Sequence, residues 1–123
     1  MAGAVATSIL GMGVHTVREF GVAGLLSPAT GTLPVALIQG LLFLGWWRSP
    51  SSRLAMSQGL RISGFFQLIG GAILSVLPLS FLPFEPEQSV DHYMSHVLLG
   101  VTQIPLLITP SRIDRGQHRG GET

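Results

Sequence analysis

The sequence predicts an all-α protein, a four-helix transmembrane bundle with both termini in the cytoplasm. Three observations predict it: four apolar segments close to the length of a membrane span, turn-forming residues between them, and arginines gathered on one side. Charged residues make up 11% of the 123 residues, where a soluble domain carries about a quarter, and mean hydropathy is +0.50. A chain of this length forms one domain.

A membrane helix needs about 20 mostly apolar residues. The first segment, 4–26, has no basic leader, and His15, Arg18 and Glu19 interrupt it, so it reads as a retained helix and not a cleaved signal peptide. Ser27-Pro28-Ala29-Thr30-Gly31 then marks a turn. The second segment, 33–47, is short, and Trp46 and Trp47 beside Arg48 suit an interfacial anchor. Ser49-Pro50-Ser51-Ser52 breaks the chain before the third segment, 60–82, for which Ser52 is an earlier candidate start. Pro83-Phe84-Glu85-Pro86-Glu87 precedes the fourth segment, 90–109, which Pro110 closes. Residues 111–123 are polar and Gly-rich and predict a disordered cytoplasmic tail. Runs such as Val35-Ala36-Leu37-Ile38 do not alternate apolar and polar residues, which argues against barrel strands.

The arginines orient the bundle. Arg48, Arg53 and Arg61 lie between the second and third segments, and Arg112, Arg115 and Arg119 lie in the tail. The opposite loops hold no basic residue, and one carries Glu85, Glu87 and Asp91. The positive-inside rule therefore places both termini in the cytoplasm, in a multi-pass protein of a bacterial inner membrane. A net charge of +1 gives no reason to expect a nucleic-acid partner. The absence of cysteine excludes disulfides and thiolate chemistry.

Ionisable residues inside a span cost roughly 2.5–3.5 kcal/mol each on insertion scales, and they face protein or water. On the first helix Ser8, Gly11, His15, Arg18, Glu19 and Val22 fall on one stripe. On the fourth, His92, His96, Leu99, Gln103 and Leu107 form another. Depths along the helices predict a polar intramembrane cluster of His15, Arg18, Glu19, Gln39 and His96, and a second polar contact between Gln67 and Gln103. His92 and His96, at i,i+4, are candidate metal ligands, with His92 expected near the headgroups and solvated. Haem between His15 and His96 is disfavoured by an expected depth difference of about 6 Å. No cofactor is otherwise expected. Gly64, Gln67, Gly71 and Ser75 share one side of the third helix, as close helix packing requires.

No nucleotide loop, hydrolase pattern or zinc-protease helix is present. A small membrane protein without enzymatic activity is the leading expectation, as an oligomer or an accessory subunit of a membrane complex.

The layout of a short chain with four helices and the acidic Glu19 in the first resembles the small multidrug resistance transporters. That resemblance implies a proton-coupled transporter using Glu19. Val17-Arg18-Glu19-Phe20 adds an arginine those proteins do not place there, and six of the seven arginines fall on one side. The stretch Val90-Asp91-His92-Tyr93-Met94-Ser95-His96-Val97-Leu98-Leu99-Gly100, opening a last helix after a polar loop, is similar to small bacterial four-helix membrane proteins, including DoxX-like ones. The third expectation is a metal- or haem-binding protein using His96 with His15 or His92.

Overall fold

A computed structural model of the chain describes residues 1–79 and 87–120, with side chains in the last helix as far as Ile108 and Thr109. The protein is an all-α four-helix bundle. Helix α1 spans Ala2–Phe20, α2 Thr32–Arg48, α3 Arg53–Phe66 and α4 Val90–Gly120. α1 packs along α4, α4 along α3, α3 along α2 and α2 along α1, which closes a ring with neighbours antiparallel. α4 takes the largest share of the packing, against α1 on one side and the third helix with its continuation on the other.

The first helix stops six residues before the boundary the apolar run suggests. Gly21 adopts φ 71°, a conformation that ends the helix and is open to glycine at little cost. The chain then doubles back in short 3-10 turns at Val22–Leu26 and Pro28–Thr30. Thr30 Oγ1 fastens this link by donating to the carbonyls of Gly24 and Ser27, each at 2.9 Å. The hydroxyls of Thr16 and Thr32 meet in a buried hydrogen bond, so α2 begins one turn below the top of α1. Arg18 and Glu19 thus lie in the last turn of α1.

The third helix begins near the early candidate start. From Gln67 to Ile73 its backbone widens into a π-helix, and a 3-10 turn at Leu74–Val76 ends it. The path from Pro50 to Val76 is long and apolar enough to cross a membrane, with a mean hydropathy of 1.4. Among the described residues it is the one helix that meets that standard. Leu77 and Leu79 are past the helix, and the rest of the expected third segment and its loop lie outside the described residues.

The fourth helix begins at Val90 as expected but does not close at Pro110. Its backbone stays helical to Gly120, so the expected disordered tail is helical to that point. Proline's fixed φ is compatible with helix, and its cost is one hydrogen bond and a clash with the preceding turn.

The interior is unusually polar. Eight polar or charged residues and seven apolar ones are buried among the described residues. The apolar part falls into two clusters, one around Leu60 and Leu106, the other around Met12, Ala72 and Leu99. Between them Ser8 Oγ reaches Gln39 Oε1 at 3.0 Å and Gln103 Oε1 at 2.7 Å, and Gln39 Nε2 donates to Ser63 Oγ at 3.0 Å. This layer ties all four helices together. Outward, by contrast, Leu10, Leu26, Leu41 and Phe66 are each at least two-thirds exposed.

Candidate metal centre

Two helical turns build the site. His15 and Glu19 stand one turn apart on α1, and His92 and His96 one turn apart on α4. Because the helices run in opposite directions, His15 comes opposite His96, and Glu19 opposite His92. The His15 and His96 ring centroids are 4.4 Å apart, and those of His92 and His96 4.5 Å. His92 Nδ1 lies 2.9 Å from Glu19 Oε2.

Hydrogen bonds fix the tautomers. His96 Nδ1 is 2.7 Å from the Gly71 carbonyl, which only accepts, so Nδ1 carries the proton. Ser75 Oγ, 3.0 Å from the same nitrogen, gives its own proton to Gly71 O. His92 Nδ1 likewise donates to the Glu19 carboxylate. Ser95 Oγ donates to the other carboxylate oxygen, Oε1, and so accepts from His15 Nδ1 at 3.2 Å. All three imidazoles therefore hold their proton on Nδ1 and keep a lone pair on Nε2, the arrangement a metal-ligating histidine takes. His92 Nε2 is buried and has no hydrogen-bond partner among the described residues.

The donor set is compact. His15, Glu19 and His96 each offer one ligand atom, and these atoms lie within 4.8 Å of one another. An ion bound tetrahedrally at about 2.0–2.1 Å sets its ligand atoms roughly 3.3 Å apart, so side-chain rotations closing about 1.5 Å bring all three to ligating distance. A haem does not fit. Edge contact between these rings leaves no slot for a macrocycle whose iron is shared by two facing imidazoles.

The sequence placed His15, Glu19 and His96 together, and so does the structure. Arg18 is not among them: it turns outward to pair with Asp91, whose side chain is 78% exposed. Gln39 belongs to the Ser8–Gln103 layer instead. Gln67 does not pair with Gln103; its Nε2 points at Met12 Sδ, 3.2 Å away, and Gln103 Nε2 lies 3.3 Å from Leu99 O. The expectation of a solvated His92 is corrected too, since its side chain is 11% exposed and packed on Glu19. The predicted depth gap between His15 and His96 vanishes because α1 ends at Phe20, which raises His15 towards the top of its helix. Ser75 and Ser95 were not singled out as site residues in this role. Ser95 at i−1 from His96 and i+3 from His92 is the signal that was available.

No protein-family model matches the chain, and no curated protein or solved structure matches it.

Proposed function

We propose that this chain is a four-helix integral membrane protein that binds a divalent first-row transition-metal ion, Zn²⁺ or Fe²⁺, at the α1–α4 seam. The observation that carries the reading is the convergence of His15, Glu19 and His96 ligand atoms within 4.8 Å. Two imidazoles and one carboxylate are the donor set of zinc sites and of non-haem iron sites, and they leave a coordination position open. Hard ions such as Mg²⁺ prefer all-oxygen shells.

The membrane part of the reading has its own support. α1 is about 28 Å long and α2 about 25 Å by helical rise, near the 30 Å hydrocarbon thickness. The polar interior and the exposed Leu10, Leu41 and Phe66 reverse the pattern of a water-soluble bundle. Arg48 and Arg53 flank the α2–α3 turn, Arg61 lies two turns into α3 on that side, and Arg112, Arg115 and Arg119 lie along the end of α4, which favours cytoplasmic termini. The apolar outer faces suit lipid, and they suit a second copy or a larger complex as well.

Metal-free protein in detergent, titrated with Zn²⁺ and Co²⁺, tests the site. One ion per chain is expected, with affinity lowered more than about 100-fold in Glu19→Gln and in His96→Gln, beyond the usual loss of an outer-shell partner. Unchanged affinity in both variants rejects the assignment.

A second reading is favoured by the hydrogen bonds that Ser95 and His92 make to the two oxygens of Glu19, a relay suited to proton-coupled transport. It differs in one respect: His96→Gln abolishes metal binding but leaves a Glu19 relay intact.

A further inference from the structure

Towards the opposite end of the molecule from His15, His92 and His96, α3 and α4 enclose an open groove of about 540 Å³. Gln58, Arg61, Ile62, Phe65 and Phe66 of α3 line it with Leu107 of α4. Phe65 and Phe66 are more than half exposed.

Arg61 is the anomaly. It stands eight residues into α3, about 12 Å along the axis from Arg53. It lies within the most membrane-like helix of the chain, Pro50–Val76. Among the described residues no ion pair or hydrogen bond reaches it. Arg53, by comparison, donates to the Trp46 carbonyl and stacks over its ring. An exposed guanidinium within a span needs an anion or water.

We propose that this groove binds an anionic phospholipid, with the phosphate on Arg61 and an acyl chain along Ile62, Phe65, Phe66 and Leu107. Three features favour that occupant. Arg61 and Phe65 share one helix face, as do Gln58, Ile62 and Phe66, so charge and hydrocarbon are segregated along the groove as in an amphiphile. A guanidinium matches phosphate oxygens with two parallel hydrogen bonds, and Gln58 one turn back adds an amide donor. Basic positions between helices near the cytoplasmic surface are where anionic headgroups are held. The inference rests on the membrane reading above and is independent of the metal site.

Native mass spectrometry of the full chain in detergent, with phosphatidylglycerol or phosphatidylcholine added, tests it. Phosphatidylglycerol should be retained preferentially. The preference should fall about fivefold in Arg61→Gln, the loss expected for one basic residue at a membrane surface. It should fall less in Arg61→Lys, which keeps the charge but not the fork, and persist in Arg53→Gln. Glycerol phosphate in excess should not displace the lipid, because it lacks the chain. An undiminished preference in Arg61→Gln overturns the proposal. So does an equal loss in Arg53→Gln, or displacement by glycerol phosphate. If the chain is soluble and monodisperse without detergent, the membrane reading falls with it; if it needs detergent but shows no lipid preference, this inference alone falls.

Discussion

Ser95 is the residue on which the two halves of the candidate centre converge. Its hydroxyl donates to Glu19 and accepts from His15, so one small side chain orients a carboxylate and an imidazole from the neighbouring helix. It is fully buried, which keeps water from competing for either bond. Ser95→Ala removes both contacts and leaves the three candidate ligands in place. We expect it to weaken metal binding about 10- to 100-fold, as outer-shell losses do, with little change in the helical circular dichroism. Loss of binding accompanied by loss of helicity would instead mean that Ser95 holds the fold. Arg18 shows the converse. Its ion pair with Asp91 is exposed, and such pairs contribute roughly 0–1 kcal/mol, so Arg18 is a surface residue at the mouth of the seam and not a member of the cluster.

At the scale of elements, the α1–α4 seam depends on one close approach. A Cβ on Gly11 would overlap the Thr102 side chain, so the helices meet at this level only because Gly11 has none. Gly11→Ala should destabilise the protein by about 1–3 kcal/mol through overpacking, read as a lower midpoint in thermal or denaturant unfolding in detergent. The same change at Gly13 should be nearly neutral, since its added Cβ meets nothing closer than Leu25 Cδ2 at 3.9 Å. Equal effects at the two glycines would remove Gly11 from this role. What the sequence made legible here follows from its physics. Helix number came from apolar length, and the meeting of His15, Glu19 and His96 from depths counted along the first and fourth helices. The end of α1 did not, because Val22, Leu25 and Leu26 are as apolar as any span and only the positive φ of Gly21 turns them back. That single break put Glu19 in the last turn and brought His92 into the site. Gln39 was misplaced because depth alone does not say which way a side chain faces; Ser8, a small hydroxyl between two amides, decides it.

At the scale of the whole molecule, two ends of different chemistry emerge. Asp91, Glu19, His15, His92 and His96 lie at one, and Arg48, Arg53 and Arg61 towards the other. In a bilayer this polarity should fix a single orientation. A reporter active only outside the cytoplasm should be active when fused at Glu87 and silent when fused after Arg119; equal activity at both would show dual insertion and contradict the arginine argument. The central claim, a metal held between α1 and α4, is tested most directly by the X-ray absorption spectrum of the Zn²⁺-loaded protein. The first shell should be nitrogen and oxygen at about 2.0–2.2 Å, with the outer-shell scattering of imidazole, reduced in His15→Gln and likewise in His96→Gln. An all-oxygen shell without imidazole scattering, or a spectrum identical in wild type and both variants, would contradict it.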